Sequence, residues 1–354
     1  MTSLYYNDET TELYVGDTLE VMASMPSASV DCVVTSPPYW GLRDYGTGMW
    51  AGGNPHCQHT LGSTPHQRRS PKATCPTDSA RTEIKRCRRC GAVCHDQQYG
   101  HEPTPDEYVD RLLHTFSEVW RALSPTGTAW LNLGDGYSSN SDGYIRSSPA
   151  NFRQPAYRPT SGIAHKSLVG IPWRVAFALQ QEGWIIRNAI AWHKPNAMPE
   201  SVQDRMSCRY EMIFLLTKQQ HYYFDLDAIR EPYTSDRPLS RKQRYGGNKD
   251  NTIKMHWTPR AKGKNPGDVW SMSTRPLREA HCAPFPIDVP LRCIAAGCPE
   301  GGIVLDPFSG AGTTGLAARQ LGRFFQGIDL RPDYHDIFRH RLLSKPPRNT
   351  REAA

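Results

Sequence analysis

Ile303-Val304-Leu305-Asp306-Pro307-Phe308-Ser309-Gly310-Ala311-Gly312-Thr313-Thr314 decides how this chain folds. Its apolar start reads as a buried strand, which Asp-Pro brings to an end. A Gly-x-Gly pair follows, and a helix begins near Thr313. Glycines between a strand and a helix let the backbone approach a ligand closely at the helix N-terminus. A second apolar strand comes next, Phe324-Phe325-Gln326-Gly327-Ile328-Asp329, and its carboxylate lies 19 residues after Gly310 (329 − 310). An acid at that distance is placed to take ribose hydroxyls. Strand, glycine turn, helix and acid-tipped strand together point to a cofactor with a nucleoside part. A dinucleotide would fit the glycines alone equally well.

The rest of the chain alternates in the same way, as a doubly wound α/β sheet requires. Leu13–Val15 reads as a short strand and 17–23 as a helix. Val30–Thr35 is an apolar strand. Thr104-Pro105-Asp106-Glu107 opens a helix with a capping-box pair and a proline in its first turn. Val109, Leu112, Leu113, Phe116, Trp120 and Leu123 then recur at helical spacing. Ser124-Pro125-Thr126-Gly127 stops that helix, and 128–133 is the next strand. Residues 172–182 read as a helix, 184–192 and 211–217 as strands, and 332–343 as the last helix. The stretch 138–167 is rich in Ser, Pro, Gly, Tyr and Arg and is expected to form a mobile loop.

The strand at 30–35 runs into Ser36-Pro37-Pro38-Tyr39-Trp40. Neither proline has an N–H, and the residue before each is held out of the helical region. The result is a rigid turn with carbonyls pointing outward and an aromatic ring at its rim. Such a turn suits a flat base, gripped by its amino group and its face.

Together the two motifs resemble the amino-methylating DNA methyltransferases that use S-adenosylmethionine. Asp306-Pro307-Phe308-x-Gly310-x-Gly312-Thr313-Thr314 looks like their cofactor loop. Val34-Thr35-Ser36-Pro37-Pro38-Tyr39 looks like their catalytic loop, in the serine form typical of cytosine-N4 enzymes. The catalytic motif comes first, which is the beta-class order. The resemblance covers most of 11–44, 104–136, 168–231 and 266–343. It implies a Rossmann-like methyltransferase sheet with inserted loops, S-adenosylmethionine as cofactor and double-stranded DNA as substrate. It also raises a homodimer and a cognate restriction endonuclease as partners.

On that resemblance Ser36, Pro37, Pro38 and Tyr39 are the catalytic set. Ser36 and the Pro37 carbonyl would accept hydrogen bonds from the target amine, and Tyr39 would stack on a base flipped out of the duplex. Thr35, Asp306, Pro307, Phe308, Gly310, Gly312, Thr313, Thr314 and Asp329 are expected to hold the cofactor. Asp17 joins them as an acid near the adenine, although a helix N-cap explains it equally well. Phe285 and Pro286 would pack on the methionine part. Trp192-His193-Lys194-Pro195-Asn196 resembles a family segment near the target strand, which makes Lys194 and Asn196 DNA contacts.

The net charge of +7 is concentrated in one place. Residues 237–264 carry nine Lys or Arg against one acid, a local excess of +8, so the remainder is nearly neutral. Arg241, Lys242, Arg244, Lys262 and Lys264 are therefore expected on the phosphate backbone. A solvated loop that orders on binding is the plainer alternative. Ten cysteines occur without a signal-peptide pattern, which points to thiols or metal ligands in the cytoplasm rather than a disulfide framework. No stretch approaches the ~20 apolar residues of a membrane span. Residues 45–101 interrupt the alternating pattern. Cys57, His59, Cys87 and Cys90 are the expected zinc ligands there, with Cys75 and Cys94 in reserve; unligated thiols are the alternative.

The expected organisation is a catalytic core of 1–44, 102–236 and 266–345. A cysteine-rich insertion (45–101), a basic DNA-recognition segment (237–265) and a flexible tail (346–354) complete it. Three readings compete with cytosine-N4 methylation. Adenine-N6 methylation uses the same pocket logic. A zinc-containing DNA-binding protein with an inactive methylase-like core is argued against by intact Ser36–Tyr39 and Gly310–Gly312. An NAD oxidoreductase is argued against by Asp306-Pro307 and the distant catalytic loop.

Overall fold

The structure is a computed structural model, and it describes residues 3–59, 86–138, 162–233, 263–275 and 285–344. The strands are β1 (Ser3–Asn7), β2 (Thr11–Val15), β3 (Val30–Thr35), β4 (Met49–Ala51), β5 (Val93–His95), β6 (Leu123–Leu133), β7 (Ile185–His193), β8 (Tyr210–Thr217), β9 (Val269–Ser271), β10 (Ile303–Asp306) and β11 (Phe324–Asp329). The helices are α1 (Thr18–Ala23), α2 (Pro105–Ala122), α3 (Ile171–Gln181), α4 (Asp288–Gly297), α5 (Thr313–Gln320) and α6 (Pro332–Ser344). Nine strands form one sheet in the order β1-β2-β11-β10-β3-β6-β8-β7-β9, while β4 and β5 pair separately.

The centre of the sheet is parallel: β2, β11, β10, β3 and β6 run the same way. β8 is antiparallel to both β6 and β7. The two faces follow from period-two alternation along each strand. Val33, Ala129, Leu131, Phe214, Leu216 and Leu305 pack on one side with buried residues of α1, α2 and α3. Cys32, Val34, Trp130, Ile213, Leu215 and Val304 pack on the other with α4, α5 and Phe338 of α6.

The helix ends obey local rules. Asp17 caps α1, accepting from the backbone N–H of Leu19 at 2.9 Å and of Glu20 at 3.4 Å. Thr104 caps α2 by accepting from the Glu107 N–H at 3.2 Å. α3 starts from Gly170 in a left-handed conformation with no cap of its own. Asp135, from the turn after β6, accepts from the N–H groups of Gly170 and Ile171 instead.

Several elements differ from the sequence reading. β6 starts at Leu123, so the Ser-Pro-Thr-Gly stop belongs to the strand. β1 goes unread because it is an edge strand with little burial, and β9 because it is three residues long and is defined by pairing with β7. α4 carries a proline in its first turn and was not anticipated either. The expected basic contacts Arg241, Lys242, Arg244 and Lys262 lie outside the described residues, as do Cys75, the tail and most of the 138–167 loop.

The chain leaves β3 toward β6 on one side and leaves β10 toward β11 on the other. The crevice outside the carboxyl ends of β3 and β10 is therefore the switch point of the sheet, where open α/β folds bind ligands.

Candidate active site

The two sequence motifs meet at that crevice. Val304 pairs with Cys32 and Leu305 with Val33, so both strands end at the same height. Ser36-Pro37-Pro38-Tyr39 extends from one strand and 306–312 from the other. The Thr35 hydroxyl donates to Asp306 Oδ1 at 2.7 Å, and the Thr314 hydroxyl donates to Asp306 Oδ2 at 2.7 Å. The Phe308 N–H adds a third bond at 3.1 Å. Asp306 is 2 % exposed, and burial pushes its carboxyl up to about 6. This buried carboxylate ties the two loops and the start of α5 into one unit.

A cavity opens beside it, lined by residues that include Asp17, Ser36, Pro38, Phe285, Asp306, Pro307, Phe308, Gly310, Thr313 and Asp329. Asp329 Oδ2 accepts from the Gly310 N–H at 2.9 Å, and Oδ1 from the Arg331 N–H at 2.9 Å. Those bonds aim the carboxylate and leave it lone pairs for ribose hydroxyls. Burial raises its pKa to about 7, with the Asp306 charge adding to the rise. Asp17 both caps α1 and lines the cavity.

Other expected cofactor residues act one step away. Thr35 and Thr314 turn inward onto Asp306 and do not line the cavity. Gly312 is left-handed (φ 69°), and a Cβ there would lie 2.3 Å from the Phe338 ring, so it serves the packing of α5 on α6. Pro286 and Pro37 are not among the lining residues.

Tyr39 does not stand free at the rim. Its ring packs on Gly134, where a Cβ would come within 2.5 Å, and its hydroxyl donates to Glu211 Oε2 at 2.7 Å. Asn132 Nδ2 donates to the Tyr39 hydroxyl at 2.9 Å and to Glu211 Oε2 at 3.0 Å, and it lies 3.3 Å from Ser36 Oγ. The Tyr108 hydroxyl from α2 holds the Pro38 carbonyl at 2.9 Å. Burial first, and then the Glu211 charge, hold the Tyr39 phenol well above its ordinary pKa.

Lys194, Asn196 and Lys264, expected on DNA, each have a partner within the protein. Lys194 forms an ion pair with Glu211 and lies 4.5 Å from the centre of the Trp192 ring. Asn196 accepts from the Thr274 N–H at 2.8 Å and donates to the Thr274 carbonyl at 2.8 Å. Lys264 pairs by its backbone with Glu231 in both directions, and its ammonium lies 3.8 Å from the Glu231 carboxylate. Glu211 and Asn132 were missed. The sequence carried one signal for Glu211, a lone acid opening the apolar run Met212–Leu216.

In the insertion, one ligand atom from each of Cys57, His59, Cys87 and Cys90 lies within 4.8 Å of the others. Cys57 and Cys87 sulfurs are 3.9 Å apart, and Cys90 Sγ is 3.3 Å from His59 Nδ1. Cys94 lies on β5, outside this set. The base of the insertion also reaches the cavity, because Tyr45, Thr47, Gln98 and Tyr99 line it. The Tyr99 ring meets Phe308 edge-on at 4.9 Å.

A family model described as DNA methylase, of the N6/N4 type, matches residues 30–340. The chain is similar to the type II methyltransferase M.Cfr9I of Citrobacter freundii, 38% identical over 97% of this chain and 91% of that protein. It is also similar to type II methyltransferase M.SmaI of Serratia marcescens, 35% identical over 94% of this chain and 91% of that protein. Among solved structures, PvuII DNA methyltransferase (cytosine-N4-specific) shares the fold with a TM-score of 0.57 at 18% identity, covering 97% of this chain and 89% of that one. A Ser-Pro-Pro-Tyr loop and an Asp-Pro-Phe glycine loop joined at one switch point, in a chain with these relatives, make this protein a member of the N6/N4 DNA methylase family, the DNA methyltransferases that modify exocyclic amines.

Proposed function

We propose that this enzyme transfers the methyl group of S-adenosylmethionine to the exocyclic N4 of cytosine, within a specific sequence of double-stranded DNA. The observation that carries this reading is the position of Ser36: its loop opens on the same cavity as Gly310 and Asp329. Asp329 would hold ribose hydroxyls, Asp17 and Phe308 would flank the adenosine, and Phe285 would pack on the methionine part. The cofactor supplies an electrophilic methyl on a sulfonium.

An aromatic amine is a poor nucleophile, because its lone pair is delocalised into the ring. Ser36 and the Pro37 carbonyl would accept from the amine and favour its pyramidal form. The target is unreachable while paired, so the base must leave the stack, and Tyr39 offers it a ring. The basic segment 237–265 would meet the DNA phosphates, and a restriction endonuclease of the same specificity would be the partner that this modification blocks. The remaining division is a core of 1–44, 102–236 and 266–345 with a 45–101 insertion.

Zinc is the metal that suits Cys57, His59, Cys87 and Cys90. The 3.9 Å sulfur separation matches the ~3.8 Å edge of a tetrahedron with ~2.3 Å Zn–S bonds. Zinc would order an insertion that has little apolar core of its own.

The function test is direct. The protein is incubated with isotopically labelled S-adenosylmethionine and DNA of mixed sequence, and the digested nucleosides are identified by mass spectrometry. Labelled N4-methylcytosine is expected. N6-methyladenine would reassign the base, and unlabelled DNA would refute the reading.

A further inference from the structure

The hydrogen bonds around Ser36 all point one way. Glu211 is acceptor-only when ionised, so the single Tyr39 proton goes to Glu211 Oε2 at 2.7 Å. The Tyr39 oxygen is then left as an acceptor. Ser36 Oγ lies 3.2 Å away and donates to it. Asn132 Nδ2 donates to this cluster and takes nothing from it. The donor order runs along Ser36, Tyr39 and Glu211, and Ser36 lines the cavity. Lys194 pairs with the other Glu211 oxygen.

We propose that Glu211 is the terminal proton acceptor of methyl transfer, reached from the target amine through the Ser36 and Tyr39 hydroxyls. This rests on the amine-methylating reading above. As the amine nitrogen bonds to the methyl carbon, the carbon–sulfur bond breaks and its electron pair stays on sulfur. The nitrogen becomes positive and one N–H proton must leave. That proton passes to Ser36 Oγ, the Ser36 proton passes to the Tyr39 oxygen, and the Tyr39 proton passes to Glu211 Oε2. The carboxylate ends as a carboxylic acid, both hydroxyls are restored, and the proton is later released to solvent. Before transfer completes, the same anion stabilises the positive charge growing on the amine through two polarised hydroxyls. Tyr39 is suited to relaying because its phenol, held well above its ordinary pKa, does not ionise itself.

Glu211→Gln separates charge from hydrogen bonding, since the amide oxygen can still accept from Tyr39. Tyr39→Phe cuts the relay while leaving the Lys194–Glu211 pair intact, so it carries the test if Glu211→Gln fails to fold. Single-turnover methylation of a duplex that the parent modifies is compared with S-adenosylmethionine affinity by calorimetry and duplex affinity by anisotropy. Each variant should lose ~10²-fold or more in kcat, with KM and both affinities within about twofold. The double variant should be no slower than the worse single one, because the residues act as a unit. Glu211→Asp should recover more rate than Glu211→Gln.

Glu211→Gln within about threefold of the parent rate, or Glu211→Asp no better than Glu211→Gln, would overturn the relay. So would losses that multiply in the double variant. A parent that methylates no DNA removes the underlying reading, and the relay falls with it. A parent that methylates while Glu211→Gln keeps pace removes the relay alone.

Discussion

Asp306→Asn should stabilise this protein at neutral and alkaline pH while leaving it unchanged in acid. Asn is close to isosteric and preserves most of the local bonding. Its oxygen can accept from Thr35 and the Phe308 N–H, and its NH2 can donate to Thr314, whose proton then turns to the Val34 carbonyl 3.4 Å away. What it removes is a charge buried to 2 % exposure. The folded-state carboxyl is raised from 3.8 to about 6. For an acid raised by folding, the folded state holds its proton more tightly than the unfolded state. The penalty is therefore absent below the unfolded value and fully present above the folded one. At 1.36 kcal/mol per pH unit, the difference comes to about 3 kcal/mol above pH 6. Asp329, whose rise owes something to the Asp306 charge, should add in the same direction up to about pH 7. Thermal and urea unfolding of parent and variant are compared from pH 4 to 8. The variant's advantage should grow between pH 4 and 6, reaching roughly 5 °C in Tm. A difference that stays flat across this range, or a variant less stable at pH 8, would refute the idea that the two loops are joined through a penalised charge.

Further outcomes follow from the same geometry. Asp329→Asn should weaken S-adenosylmethionine binding by about tenfold, the loss of one or two charge-assisted hydrogen bonds. Because the parent carboxyl titrates at about 7, its calorimetric affinity should rise between pH 6 and 8, and the variant's should not. Elemental analysis should find one zinc per chain, absent from Cys87→Ser with Cys90→Ser. Because Tyr45, Thr47, Gln98 and Tyr99 line the cavity, metal loss should also weaken cofactor binding, and unchanged affinity would detach the insertion from the site. Changing Arg241, Lys242, Arg244 and Lys262 to alanine should flatten the plot of log DNA affinity against log salt by up to roughly 3.6 units, at ~0.9 per phosphate. An unchanged slope would make that segment a bystander.

The alternating pattern, the catalytic loop, the glycine loop and the acid on β11 were all legible in the sequence. Each is a local signal: apolar period, proline constraint, glycine punctuation, or a fixed spacing along one βαβ unit. The cysteine cluster was legible too, since Cys57-x-His59 and Cys87-x-x-Cys90 are local pairs, and the fold brings one to the other. Roles that depend on what lies across the sheet were not legible. Thr35 and Thr314 are 279 residues apart (314 − 35) and look like ligand contacts in sequence, yet both close on Asp306. Lys194 and Asn196 carry the chemistry of a DNA contact, and the fold gives them partners that the sequence does not show, the Glu211 carboxylate and the Thr274 backbone. Glu211 itself is a lone acid on an apolar strand. Only the insertion of β8 beside β6, antiparallel to it, sets that acid within a hydrogen bond of Tyr39 and Asn132. Strand order and register are set by the packing of two complete faces, which no short stretch of sequence contains. Sequence therefore determined which loops stand at the crevice, and tertiary structure decided which charges stand behind them.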